Sequence, residues 1–427
     1  MHSAPSPSPS VPSQSHAWLI WAVATLFPIY QLAIQIGYGA LEPGIDRDLH
    51  LGMARSAILS ASFLLSYSLM QLPAGLLLDR YSPRLLLSCS AILCGVAAWQ
   101  FASCQSFASA LFFRALLGVL ASFGFPGAGL LGRRWIRPGQ FVLAMGLIDF
   151  FFGLGAIGGE AGFAAMREVG YSWRDIMNML ALAGVSIGLL CAILVRDRPR
   201  GMEDRSDRVH ILDALRVLLS TRKVLLAIVF YGGMIGVAFG FGGLWDIQLQ
   251  SAFGFGQHEA VDLNSWLFVG LAVSAPISGV LADKFRRRKP LLLVGASGSL
   301  LGVCGLLFVP LVIPYWAIIG NLLFTGMMLG TSVAIFGVAC DAVPPRYAGT
   351  VIGLVNAAGC LLGALMQIVP GLLLGPGDFH PLSVYQQVLS LNIAILLAAI
   401  LAAAMLSERS CSRSDGIGKG SPGDECV

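Results

Sequence analysis

Residues 75–87 read GLLLDRYSPRLLL, and residues 279–293 read GVLADKFRRRKPLLL. Each is a charged break between long apolar runs. Gly75 pairs with Gly279, Asp79 with Asp283, Arg80 with Lys284, and Tyr81 with Phe285. The two aspartates stand 204 residues apart. A long fixed period of this kind marks a duplicated structural unit.

The rest of the chain has the composition such a unit needs. Of 427 residues, 56% are hydrophobic and 12% charged. A soluble globule carries about a quarter charged residues, so the bilayer is the expected solvent. A membrane-crossing helix takes about 20 mostly apolar residues. Twelve stretches qualify: 17–40, 56–78, 85–104, 106–131, 140–165, 175–195, 223–248, 263–282, 290–310, 314–339, 349–374 and 384–406. The expected fold is an all-α integral membrane protein of 12 transmembrane helices in two six-helix pseudo-repeats, 17–195 and 223–406. A cytoplasmic linker, 196–222, separates them and holds a short amphipathic piece. The Ser/Pro-rich start, 1–16, and the end, 407–427, read as disordered tails.

Basic residues give the orientation. With the N-terminus inside, 22 of the 27 Lys and Arg fall in inner loops and the C-terminal tail. Only Arg47, Arg55, Arg167 and Arg174 fall outside, and Arg114 lies within a helix. Both termini are therefore expected in the cytoplasm.

Several function classes drop out. The nine cysteines show neither CxxC spacing nor nearby histidines, so no metal site is expected. All six histidines lie in tails or loops, which removes a mid-membrane histidine relay and disfavours an enzyme. The tail segment GIGKGSPG lacks the GxxxxGK[ST] pattern of a phosphate loop, and no other nucleotide site is present. No cofactor and no nucleic-acid partner are expected. Any pumping must be ion-coupled or passive.

The charged breaks resemble the loop signature of the major facilitator superfamily: Gly, any three residues, Asp, a basic residue, then Gly and further basic residues. This chain departs from it at Ser82-Pro83 and at Arg286. RALLG (114–118) resembles the family's fourth-helix motif. YSWRD (171–175) resembles its approach to the sixth helix, and VPPRYAGTVIGLVN (343–356) its link into the eleventh. The resemblance covers roughly 17–406. It implies that Gly75, Asp79, Arg80, Arg84, Gly279, Asp283 and Lys284 form inner gating loops. It also implies that helices 1, 4, 7 and 10 line a central cavity.

Polar residues at membrane depth are costly, about 2.5–3.5 kcal/mol per charge, and should face a cavity or a partner. Gln31, Gln35, Tyr38 and Glu42 follow one face of the first helix. Gln31, Gln35 and Tyr38, with Tyr231, Asn321, Thr325 and Asn356, make up the expected substrate cavity. Arg114, Asp149 and Glu160 are the candidates for proton coupling. Arg114 and Glu160 fall at similar depth and are expected to pair.

The function expected is secondary active transport of a small polar or anionic solute by alternating access, as a proton symporter. The motif texture resembles bacterial organic-anion and sugar-phosphate permeases, and more loosely the dipeptide-transporting branch. Phosphate carriers need arginines in helices 1 and 7, and none stands there. The drug-antiporter Gly-Pro is missing from GLGAIGGEAG (153–162). Drug or metabolite efflux by proton antiport is the alternative within the class, and a transport-dead membrane sensor or assembly protein is the alternative outside it. The protein is expected as a monomer in the bacterial inner membrane.

Overall fold

The structure, a computed structural model, describes residues 14–199, 211–285, 287–308, 314–374 and 381–407. Most of the two expected tails lies outside the described residues, as do residues 200–210 of the linker, Arg286 and the side chain of Glu160. Twelve helical segments are long and apolar enough to cross a membrane. They are α1 (Gln14–Ile36), α2 (Ile58–Arg80), α3 (Pro83–Ala102), α4 (Phe107–Trp135), α5 (Pro138–Gly155), α6 (Trp173–Leu194), α7 (Arg222–Ala252), α8 (Glu259–Phe285), α9 (Lys289–Phe308), α10 (Tyr315–Asp341), α11 (Pro345–Leu374) and α12 (Leu382–Met405). No strand occurs among the described residues. A further helix, Ile211–Ser220, lies in the linker.

Large apolar side chains such as Leu69, Phe112, Leu182, Leu301 and Leu372 are exposed along these helices. A water-soluble monomer does not expose apolar surface on that scale, whereas lipid tails accept it. The chain is a multi-pass membrane protein. With an even number of spans, α1 begins and α12 ends on one side, called here the termini side.

Helix ends follow local chemistry. Ser82 caps α3 by accepting a hydrogen bond from the Leu85 N–H at 3.1 Å, with Pro83 at the first helical position. This accounts for the Ser-Pro departure from the loop signature: it starts a helix. Ser172 and Asp175 form a capping box at the head of α6. Beside it, Trp173 Nε1 donates to Asp48 at 2.9 Å and Arg174 forms a salt bridge with Asp48. The YSWRD motif thus ties α6 to the chain that follows α1.

Five spans are interrupted, one of them α12, which turns at Ser390. The first helix stops at Ile36, turns at Gly37 and resumes over Tyr38–Leu49. α7 contains a π turn over Phe241–Trp245. α4 breaks between Ala121 and Gly124, and α10 passes through a 3₁₀ turn over Gly330–Val333. Gly37 and Phe241 are separated by the same 204 residues as the aspartates. The duplication therefore extends to the helix breaks. Discontinuous helices at equivalent places in two repeats mark the binding region in transporter folds.

Between the halves, α2 packs on α11 and α8 on α5, each through a glycine of the repeated motif. A Cβ at Gly75 would stand 2.6 Å from the Gly349 carbonyl oxygen. A Cβ at Gly279 would stand 2.6 Å from the Leu143 Cα. Only hydrogen at these positions lets the backbones approach. Gly75→Val is therefore expected to push α2 off α11 and open the termini side. Spin labels at Tyr81→Cys and Pro344→Cys in a cysteine-free background should report a longer distance; an unchanged distribution sinks this reading.

Candidate functional site

The first part of the site is a latch on the termini side. The first N–H groups of a helix have no intrahelical acceptor. At the head of α11, Asp79 supplies one from the other half. Its carboxylate accepts from the Gly349 N–H at 2.8 Å, the Thr350 N–H at 2.6 Å and the Thr350 hydroxyl at 2.6 Å. The duplicated motif repeats the arrangement at the head of α5, where Asp283 accepts from the Leu143 N–H at 2.9 Å. The helix dipole adds to both contacts. A third link joins the halves: Asp341 of α10 forms salt bridges with Arg133 of α4 and, at 2.6 Å, with Arg288 just before α9.

The expected gating residues divide accordingly. Gly75, Asp79, Gly279 and Asp283 form the latch. Arg80 and Lys284 point away from it and lie over the rings of Tyr81 and Phe285. Arg84 works inside the first half: its N–H bonds Asp197 at 2.8 Å and its Nε bonds the Ala192 carbonyl at 2.7 Å, holding α3 to the end of α6. Sequence reasoning missed Thr350, Arg133, Asp341 and Arg288.

The second part is a buried polar cluster in the middle of the bundle where the two halves meet, called here the chamber. Asn356 of α11 stands at its centre. It donates to the Tyr67 hydroxyl at 3.5 Å and accepts from the Tyr231 hydroxyl at 3.4 Å, both long hydrogen bonds. Gln31 lies beside Tyr67 and reaches Gln35 at 3.4 Å. The buried Gln71 amide meets no partner in hydrogen-bond geometry, and neither does Gln31 Oε1. Phe336 stands edge-on to Tyr231, with centroids 4.8 Å apart, and packs on Phe125. Asp149 is half-buried and within electrostatic reach of Tyr231 and Cys360. No hydrogen-bond donor or cation among the described residues pairs with it. These groups offer amides, phenols, an aromatic wall and one carboxylate. That set suits a small polar solute and contains no nucleophile–base pair for covalent chemistry.

Gln31, Gln35, Tyr231, Asn356 and Asp149 are thus brought together. Asn321 and Thr325 are not. They face α9, where Asn321 abuts Gly305 and Thr325 abuts Gly302. Thr325 also bonds back to the Asn321 carbonyl at 2.8 Å. They act there as interhelical packing. Tyr67 and Gln71 were missed, although Tyr67, Gln71, Gly75 and Asp79 follow each other at four-residue steps along one face of α2.

Arg114 has a position of its own. It is fully buried, and its two terminal nitrogens donate to the carbonyls of Ile34 and Gln35 at 3.1 and 3.2 Å. Those carbonyls belong to the last turn of α1, which has no further helical donors. The guanidinium carbon lies 4.4 Å from the Tyr38 ring centroid and 4.9 Å from that of Phe63. Tyr38 therefore packs on Arg114 instead of lining the chamber. One turn along α4, Gly118 lies against the Phe63 backbone and Ser66, so the RALLG motif is a joint between α4, α2 and the broken first helix. The expected Arg114–Glu160 pair involves a side chain outside the described residues.

Comparison with known proteins agrees with this geometry. The description "Major Facilitator Superfamily" matches residues 20–367. The chain is 25% identical to the "Probable nitrate/nitrite transporter NarK2" of Mycobacterium tuberculosis, over 80% of this chain and 85% of the relative. It is 24% identical to the "Probable nitrate/nitrite antiporter NarK1" of Thermus thermophilus, over 68% and 66%. It is 22% identical to the "Probable sulfoacetate transporter SauU" of Cupriavidus necator, over 80% and 83%.

Asp79→Asn replaces one acceptor oxygen by an amide that faces donors. A hydrogen bond to a charged group contributes about 1.5–3 kcal/mol, so the closed latch should lose roughly ten- to a hundredfold in population. Turnover in reconstituted vesicles should fall while the ranking of substrates stays the same. A changed ranking would assign Asp79 to recognition instead.

Proposed function

The chain belongs to the major facilitator superfamily, and from that premise we propose that it carries small polar or anionic solutes together with protons. The observation that carries this reading is the pair of uncompensated charges in the bundle. Arg114 is a buried guanidinium that meets no carboxylate among the described residues. Asp149 is a carboxylate that meets no cation there. The relatives named for nitrate, sulfoacetate and tartrate support an anion as cargo.

Coupling follows from electrostatics. An anion entering the chamber meets the positive field of Arg114 and the negative field of Asp149. At an effective dielectric constant of about 20, two like charges about 6 Å apart repel by roughly 3 kcal/mol. A proton on Asp149 removes that repulsion and turns the carboxyl into a hydrogen-bond donor. Anion and proton therefore favour each other's binding. Occupation of the chamber by both lets the halves rock, the caps at Asp79 and Asp283 release, and the cargo leaves on the termini side. The Lys and Arg distribution supports the cytoplasm as that side. The family and its bacterial relatives support the bacterial inner membrane as the location, and the working unit proposed is a single chain.

The test is uptake into proteoliposomes over a panel of nitrate, nitrite, sulfoacetate and tartrate. An acidic exterior should drive accumulation of at least one of these anions. Asp149→Asn should abolish that accumulation and its pH dependence while keeping exchange of the same anion across equal pH. Wild-type flux that runs against the proton gradient would favour antiport. Undiminished accumulation by the variant would remove Asp149 from the coupling.

A further inference from the structure

A second lone carboxylate lies away from the chamber, in the outer part of α7. Asp246 is completely buried. Its only described hydrogen bond is to the Gln250 amide nitrogen, at 3.1 Å to Oδ1. Its Oδ2 has no partner. Gln250 is itself 1% exposed, and with its nitrogen engaged on Asp246 its Oε1 is left unpartnered. On α8, Asn264 is 7% exposed and its Oδ1 is also unpartnered.

Helix register brings these oxygens together. A Cβ at Gly242 would stand 3.0 Å from the Leu267 side chain and 3.5 Å from that of Phe268. α7 and α8 run antiparallel. One turn onward from Gly242 is Asp246; one turn back from Leu267 and Phe268 lie Leu263 and Asn264. Asp246 and Asn264 are therefore level across the α7–α8 contact, with Gln250 one further turn along the Asp246 face.

No Lys or Arg of this half stands near the site. None occurs between Lys223 and Lys284, between Lys289 and Arg346, or between Arg346 and Arg409. The four arginines of the first half on that side lie elsewhere. Arg167 bonds the Ala40 carbonyl, Arg174 pairs with Asp48, Arg55 lies over Phe107 and Arg47 is exposed. No described Lys or Arg compensates Asp246, which leaves its charge open to a cation from solution.

We propose that Asp246, Gln250 and Asn264 bind a monovalent hard cation, sodium, at the α7–α8 contact. Carboxylate and amide oxygens are the donors such ions take. One carboxylate balances one positive charge, whereas a divalent ion would leave a net charge in a low-dielectric site. A proton on Oδ2 would satisfy one of the two amide oxygens; an ion satisfies both along with Oδ2. The bound ion would hold the outer parts of α7 and α8 together beyond the π turn of Phe241–Trp245.

The site is separate from Asp149, so it is tested by binding and not by transport. Unfolding is followed by tryptophan fluorescence. The purified full-length protein in lipid nanodiscs is unfolded thermally in NaCl, KCl or choline chloride at constant ionic strength. Sodium should raise Tm in a saturable manner, potassium should do so less, and choline should have no effect. Asp246→Asn should abolish the sodium response, and Asn264→Ala should shift its midpoint at least tenfold higher; Asp149→Asn should keep it. Equal Tm in sodium and choline for the wild-type protein overturns the proposal. So does a response that follows pH and ignores sodium, which would make Asp246 a proton site.

Discussion

A carboxylate from one half placed on the bare N-terminus of a helix in the other half is the contact on which the rest of this architecture depends. It occurs twice, Asp79 on α11 and Asp283 on α5. In lipid, unsatisfied backbone donors are too costly to leave open. At the membrane edge they have two acceptable partners, the opposing carboxylate or water. In this structure the carboxylates fill that role. Under the proposed alternating access, water would take it when the halves part. Both states would keep their hydrogen bonds, so the energy difference between them would stay small, as a two-state carrier requires. Gly75 and Gly279 are needed for the same reason: without close backbone contact the carboxylates fall short.

The broken spans meet a related demand in mid-membrane. Interrupting a helix frees carbonyls, and each break on the first and seventh spans has a donor assigned to it. Arg114 serves Ile34 and Gln35 beside the break at Gly37. In the second half, Gln367 donates to the Phe239 carbonyl at 2.8 Å beside the π turn. Gln35 and Phe239 are 204 residues apart, the period of the repeat. The two halves thus solve one backbone problem at equivalent positions with different side chains. One of those side chains is charged. The asymmetry gives the first half a positive pole that the second lacks.

How far this was legible in the sequence depends on what each residue type constrains. Glycine and aspartate in the repeated break suit backbone approach and helix capping, and the structure places them in contacts of those two kinds. The Ser82-Pro83 departure reads correctly once taken as a cap and first turn. On the tenth span the spacing alone did not say which way the polar face points. Asn321 and Thr325 lie before the 3₁₀ turn at Gly330 and pack on the glycines of α9. A 3₁₀ turn advances about 120° per residue instead of 100°, and Phe336, beyond it, reaches Tyr231. Tyr67 and Gln71 went unread for the opposite reason. Their helix was assigned wholly to the gate, although the same four-residue stripe runs from Asp79 at the latch to Tyr67 in the chamber.

That continuity has a mechanical consequence. Tyr67, Gln71, Gly75 and Asp79 lie on one face of a single helix, and all but Gly75 carry side chains that bear polar groups toward α11 or the chamber. Tyr67 touches Asn356 of α11, and Asp79 touches Gly349 and Thr350 of the same helix. The α2–α11 seam therefore contains both a chamber contact and the latch. Under the function proposed above, a solute that drew Asn356 away from its long bonds to Tyr67 and Tyr231 would loosen the seam at one end, and a shift of either helix would be felt by the caps at the other. Recognition and gating would then be coupled through one pair of helices, with no separate relay of side chains needed to connect them.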